Sequence, residues 1–396
     1  MEQDFLRYTA QTSPLPMGIP VSRAAGIYLY GPNGERWVDF ISGICVSNLG
    51  HGVPEIIQAI QQQSEAYLHP MVYGEAIMAP QVQYARRLGE ILGPRLESVY
   101  FLGSGAEAVE GALKVAKKYT GRAELLGFFG SYHGSTHGAL SVSDGQAKRA
   151  AYAPLLPESK LIPYNDHAAL AEITEKTAGV IIEPIQGAGG MVVPDEGYLQ
   201  AVQARCREVG ALMILDEIQT GFGRTGALFA HQTLGLEPDI LLLAKSLGGG
   251  LPLGAFLTRQ EVMQVIRENP VLGHLTTFGG HPLCCASGLA ALEVLLGQPI
   301  LEGMSAREKL MKSCLQHPAI QDLRGRGLMY ALLLPDGDFA ETVRQKALEK
   351  GLITIGFLHI RNGLRLCPPL NISLEEMEMC CEILLEAISE TAAERA

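Results

Sequence analysis

Ala211-Leu212-Met213-Ile214-Leu215-Asp216-Glu217 and Ile240-Leu241-Leu242-Leu243-Ala244-Lys245 are two short apolar runs, each ending in a charge. Both are too short for a globular helix and are flanked by turn residues, so each predicts a buried strand. Side by side in one sheet, they place a carboxylate and an amine at the same rim. In open α/β sheets, ligands sit at the carboxyl ends of the strands. The plain reading is a surface ion pair, because charges at strand ends are common. The functional reading is a pyridoxal phosphate (PLP) site: the lysine bonds the cofactor aldehyde and the acid keeps the pyridine nitrogen protonated.

The pattern around the two runs extends the sheet. Strands are expected at Val99-Leu102, Leu125-Phe129, Val180-Glu183, Leu212-Asp216, Ile240-Ala244 and Gly254-Thr258. Helices are expected at Glu55-Leu68, Gln81-Leu92, Glu107-Tyr119, Gly197-Val209 and Pro282-Leu296. Such alternation predicts an α/β fold with a mostly parallel sheet and helices on both faces. Toward the start, Gly31-Pro32-Asn33-Gly34 separates two short runs in a hairpin signature. After about Gln298 the strands thin out, at Gly327-Leu334, Leu352-Ile355 and Leu364-Cys367, and a smaller α+β part is expected. With 396 residues, two domains are the prior.

Composition excludes several partner classes. The net charge is −11 and no Lys/Arg cluster is visible, so nucleic acid and anionic membranes are poor partners. An anionic cofactor must then be held by local donors. The acidic start Met1-Glu2-Gln3-Asp4 lacks a signal-peptide core, and no apolar stretch reaches membrane-span length. The eight cysteines show no Cys-x-x-Cys and no metal or disulfide framework; they read as reduced, mostly core residues of a cytoplasmic protein.

Between the two charges lies Ile218-Gln219-Thr220-Gly221-Phe222-Gly223-Arg224-Thr225-Gly226, whose glycines mark sharp bends or close approach of another group. The run Leu-Asp-Glu-Ile-Gln-Thr-Gly-x-Gly-Arg-Thr-Gly, followed by Ala-Lys-x-x-Gly-Gly-Gly-x-Pro-x-Gly-Ala, resembles the class III (subgroup II) PLP-dependent aminotransferases. That group includes the acetylornithine, ornithine and 4-aminobutyrate enzymes, and the likeness recurs from about Gly26 to Pro369. It implies fold type I, with a large domain at 54–297 and a small domain formed by 1–53 and 298–396. It also implies ping-pong transfer of an amino group between a donor and a keto acid, by default 2-oxoglutarate/glutamate. An aminomutase or racemase shares the same framework, and a non-catalytic PLP-binding homologue is the reading from another class.

Site residues follow from the resemblance position by position. Gly103-Ser104-Gly105-Ala106-Glu107 opens a helix after a strand, a start suited to anions. The likeness assigns Ser104, Gly105 and Ala106 to the phosphate, and Thr277, in Thr276-Thr277-Phe278-Gly279-Gly280-His281-Pro282, to the phosphate held by a partner subunit. A site completed by two chains implies a homodimer, or a pair of dimers. Tyr132 is implied to stack on the ring and Gln219 to bond its phenolic oxygen, with Glu183 near the ring edge. Ile218, two residues after Asp216, is expected on the same strand face and so on the opposite side of the ring. His133 reads as a satisfied structural histidine rather than a base.

The substrate side departs from the named relatives. Arg365, in Leu364-Arg365-Leu366-Cys367-Pro368-Pro369, matches the arginine that binds a substrate carboxylate through its planar fork. The second carboxylate-binding arginine of the acetylornithine and ornithine branches is replaced by Ser135. The glutamate that pairs with the Pro-Pro arginine there is replaced by Ala188, in Gln186-Gly187-Ala188-Gly189. A less acid-selective pocket is therefore expected, with Ser42, Tyr73, Ser135 and His281 as candidates along its entrance.

Overall fold

In the computed structural model, which describes residues 1–395, the two quoted runs are adjacent parallel strands. They lie inside a seven-stranded sheet whose order is Ser98–Leu102, Gly254–Thr258, Ile240–Leu243, Leu212–Asp216, Thr177–Ile182, Glu124–Phe128 and Ser159–Ile162. Gly254–Thr258 runs against both of its neighbours, and the other pairings are parallel. The runs are apolar without alternation because both faces are covered. Ile214 and Leu242 pack in one cluster with the helix Gly105–Thr120. Met213, Leu215, Leu241 and Leu243 face a larger cluster that takes in the helices Tyr198–Val209 and Pro282–Gly297.

The helix Gly105–Thr120 is specified at both ends. The Ser104 hydroxyl accepts from Glu107 N at 3.2 Å, and Gly121 closes the helix at φ +69°. Its buried face is Ala108, Val109, Ala112, Leu113 and Ala116, and the alanines allow close approach to the sheet.

The expected hairpin is present, Tyr28–Tyr30 pairing with Arg36–Asp39, and Leu352–Ile353 joins it in parallel. A third sheet consists of Asp322–Arg326, Met329–Leu333 and Gly363–Leu366. Three strands have no counterpart in the sequence reading, one of them the three-residue edge Arg23–Ala25, which pairs with Tyr28–Tyr30. Ser159–Ile162 is a half-buried edge, and Asp322–Arg326 carries a single large apolar residue and takes its register from Met329–Leu333. Neither presents the apolar run or alternation that marks a strand. No helix among the described residues is long and apolar enough to cross a membrane.

Arg224 ties the three sheets together. Its guanidinium is fully buried and donates to Leu328 O at 2.9 Å, Pro368 O at 2.6 Å, Ser42 Oγ at 2.9 Å and to Asn48 Oδ1. The glycines of this region serve close approach: a Cβ on Gly327 would meet the Arg224 carbonyl oxygen at 2.7 Å. Ser42, Gly43, Ile44 and Cys45 form a left-handed turn, with φ of +44°, +57°, +65° and +61°. Left-handed backbone costs non-glycine residues about 1–2 kcal/mol each. The turn is held by Asp39 Oδ1, which accepts from Gly43 N at 3.2 Å, and by Ser42 Oγ, which donates to Cys367 O at 2.8 Å.

Candidate active site

The strands ending at Leu102, Phe128, Ile182, Asp216 and Leu243 all lead into one rim. Two connected hollows open there, of about 530 and 410 Å³, sharing Val46, Tyr132, Ile218 and Lys245. Lys245 follows its strand at a left-handed φ of +50°. Burial pushes its ammonium pKa down and Arg365 adds to this, against the opposing pull of Asp216, Cys45 and Glu183. Asp216, buried at the end of its own strand, accepts from Ile218 N at 2.9 Å through Oδ1. His133 Nδ1 donates to its other oxygen, Oδ2, at 2.6 Å. The sequence placed Ile218 on the strand; instead the strand stops at Asp216 and a turn on the Asp216 carboxylate carries Ile218 to the cavity.

The larger hollow is lined by Ser104, Gly105, Ala106, Tyr132 and Ser135. Ser104 caps Glu107 N and the Glu107 carboxylate accepts from Gly103 N at 2.7 Å. The first-turn N–H groups of Gly105 and Ala106 have no acceptor four residues back, as at any helix start. A Cβ on Gly105 would meet Ile218 Cδ1 at 3.0 Å and Ala244 Cβ at 3.2 Å, so only glycine leaves this corner open. Free donors at a helix start, an amine and a carboxylate across one cleft are the donor set that PLP needs.

The smaller hollow holds the remaining groups: Glu183, Ala188, Asp216, Gln219, Lys245 and Arg365. Glu183 accepts from Tyr132 N at 3.2 Å and Gly187 N at 3.0 Å. Burial raises its pKa to about 7; Asp216 adds to this, and His133 and the two N–H groups oppose it. The Gln219 amide donates to Cys45 Sγ at 3.5 Å. Cys45 is buried in an apolar cluster with Ile185, Met191 and Cys367, just behind the cavity wall formed by Ile44 and Val46. Burial pushes its thiol pKa up, but contact with Cys367 and the nearby Arg224 and Arg365 bring it below the usual range. No sequence signal placed Cys45 here, since the turn that carries it is left-handed and its neighbours are apolar.

Arg365 is 6% exposed and lies over the Phe357 ring, 4.8 Å from its centroid. Its Nε and Nη1 have no hydrogen-bond partner among the described residues.

Within a single chain, three of the entrance candidates stand apart from the Lys245 cleft and one reaches it. Ser42 is buried beneath the cavity with its hydroxyl engaged by Cys367 O and Arg224. In its own chain Tyr73 lies away from Lys245, with its hydroxyl donating to Val99 O at 3.0 Å and its ring on Tyr100. His281 caps the helix Pro282–Gly297, accepting from Leu283 N. Ser135 reaches the cleft on the Ser104 side, 3.1 Å from the Tyr132 hydroxyl. Thr277 lines a separate hollow with Gly103, Glu107 and His274, outside the Lys245 cleft of its own chain.

A mostly parallel sheet with one reversed strand, and a lysine–aspartate rim beside a helix start, define a PLP-dependent enzyme of fold type I. A family model described as aminotransferase class-III matches residues 8–388. The acetylornithine aminotransferase of Methanocaldococcus jannaschii is 37% identical over 379 residues, covering 92% of each chain. The ornithine aminotransferase from Toxoplasma gondii superposes with a TM-score of 0.92 at 32% identity, covering 100% of this chain and 96% of that one. The adenosylmethionine-8-amino-7-oxononanoate aminotransferase from M. jannaschii gives 0.91 at 31%, covering 98% of each chain. The chain belongs to the class-III aminotransferases and is a PLP-dependent transaminase.

Proposed function

We propose that this enzyme moves an amino group by a ping-pong cycle between an amino acid donor and a keto acid, with 2-oxoglutarate/glutamate as the default couple. PLP supplies the aldehyde that takes up the amino group and the electron-poor ring that eases proton loss from the substrate. Lys245 would hold that aldehyde in the resting enzyme, and its amine, once free, would carry the proton from the substrate Cα. Asp216, aligned by His133 and Ile218 N, would keep the ring nitrogen charged. Ser104, Gly105 and Ala106 would hold the phosphate together with the partner's Thr277. Tyr132 and Ile218 would cover the two ring faces, Gln219 would bond the phenolic oxygen, and Glu183 would stand at the ring edge. The shared phosphate site makes the working unit a homodimer, alone or as a pair of dimers. A large unit at 54–297 carries the seven-stranded sheet, and 1–53 with 298–396 are assigned to a small unit.

The observation that carries this reading is Arg365, whose buried and unpartnered nitrogens share a cavity with Lys245 and Asp216. Arg365 binds the carboxylate beside the reacting carbon. Arg365→Gln is expected to lower kcat/KM for every carboxylate substrate about 100-fold, ~3 kcal/mol for a lost buried charge pair. The same change should raise the melting temperature of the substrate-free protein, because it removes an uncompensated buried cation. Unchanged kcat/KM would assign the carboxylate to another group.

With Ser135 in place of a second arginine, the distal carboxylate of 2-oxoglutarate needs another cation. Lys148, exposed at the mouth, holds its ammonium 5.9 Å from the Tyr132 ring centroid. Lys148→Ala is expected to raise KM for 2-oxoglutarate several-fold and leave KM for pyruvate unchanged. An equal effect on both keto acids would remove Lys148 from this role.

A further inference from the structure

The wall of the Lys245 cavity has a single ionic group to offer a substrate. Lys245, Asp216 and Glu183 belong to the cofactor end, and Arg365 takes one carboxylate. The rest of the wall includes Ile44, Val46, Ala188, Ile355 and Leu358. Ile44 and Leu358 are 40% and 52% exposed, so large apolar surface faces the open cavity.

Ile44 is held there against its backbone preference. A β-branched residue at φ +65° is a genuine outlier, and such strain persists only where the surroundings over-determine it. Here Asp39 accepts from Gly43 N, and Ser42 is fixed between Cys367 O and Arg224. A rigid turn therefore projects an aliphatic side chain into the cavity, which a flexible loop would withdraw from water.

Ala188 offers no carboxylate to neutralise Arg365 between half-reactions. Both substrates must then present a carboxylate in the same place, and in glutamate that group sits on the reacting carbon. We propose that the amino donor is an α-amino acid with an uncharged, apolar side chain that packs on Ile44, Val46 and Leu358, rather than a diamino acid. This inference rests on the reading of Arg365 given above. A terminal ammonium placed on this wall would lose its water without gaining a counter-ion. A methyl group in the same place would gain from burial, and each added methylene should raise kcat/KM about fourfold.

The test uses the PLP-loaded protein with 2-oxoglutarate and measures glutamate formed from alanine, 2-aminobutyrate, norvaline and norleucine, with ornithine and N-acetylornithine alongside. Norleucine and ornithine have nearly the same shape and differ by a terminal methyl against an ammonium. The expected result is a rise of about fourfold per methylene, with norleucine about 100-fold better than ornithine. In Ile44→Gly, which relieves the left-handed strain and so keeps the fold, the norleucine-to-alanine ratio should fall about tenfold. Ornithine or N-acetylornithine matching norleucine overturns the inference and leaves the Arg365 anchor standing, as does a flat series or no transfer from any of the four. Wild-type preference retained in full by Arg365→Gln overturns the anchor instead, and the α-carboxylate part of this inference with it.

Discussion

Lys245→Ala should lose turnover by about 10⁴-fold or more, and should hold no covalently fixed cofactor. Lys245 stands just past the Ile240–Leu243 strand at φ +50°, so the strand end aims its amine into the cleft. Burial lowers its pKa, which leaves a larger share of free amine near neutrality than an exposed lysine would have. That form is the one able both to bond an aldehyde and to take a proton. Alanine removes the nucleophile and the base at once, with little change in backbone strain. Intact mass after borohydride reduction of the PLP-loaded protein reads the first role: the wild type should retain the cofactor mass and the variant should not. Partial restoration of turnover by a small primary amine in the buffer reads the second. A variant within tenfold of wild type would move both roles to another residue.

Asp216→Asn is expected to cost on the order of 10³-fold in kcat. The change is nearly isosteric, and the contact to Ile218 N can persist, so the fold should survive. What is lost is the negative charge. Opposite unit charges about 4 Å apart are worth ~4 kcal/mol at an effective dielectric constant of about 20. That is about three pKa units, enough to leave the cofactor nitrogen largely unprotonated at neutral pH. The measurement is kcat against pH together with the absorbance of the bound cofactor. The variant should recover part of its rate toward acid pH, where the nitrogen can be protonated without help. Equal loss at all pH values would point to a disturbed site rather than a missing charge. His133 enters through the same bond: at 2.6 Å from Asp216 Oδ2 it positions the carboxylate. The sequence reads His133 as a satisfied structural histidine; in the structure Nδ1 meets Asp216 while the buried Nε2 has no partner among the described residues.

The strands that build the rim were legible because burial on both faces forces unbroken apolar runs, as in Leu212–Asp216 and Ile240–Leu243. The helix start at Ser104 was legible because a cap residue and glycines follow a strand directly. Ser159–Ile162 and Asp322–Arg326 were not, since an edge strand and a polar hairpin arm need no such pattern. The left-handed turn at Ser42–Cys45 was equally hidden. Gly43 and the nearby Asp39 suit it locally, but Ser42, Ile44 and Cys45 take it against their preference, and Cys367 and Arg224 hold it from two distant parts of the chain.

The entrance candidates divide along the same line. Ser42, Tyr73 and His281 carry groups able to meet a substrate; the Ser42 and Tyr73 hydroxyls are spent on backbone carbonyls, and one His281 ring nitrogen accepts from Leu283 N. Arg365 does the reverse: buried and surrounded by chain, it is left with free donors. The sequence by itself determined the sheet, the cofactor and the residues at the strand ends, because local pattern and motif spacing act over short distances along the chain. Which polar groups are spent and which are left free, and which apolar side chains face the cavity, was decided only by the tertiary structure, because hydrogen bonding and burial depend on which groups the fold brings together, as it brings Ser42 to Cys367.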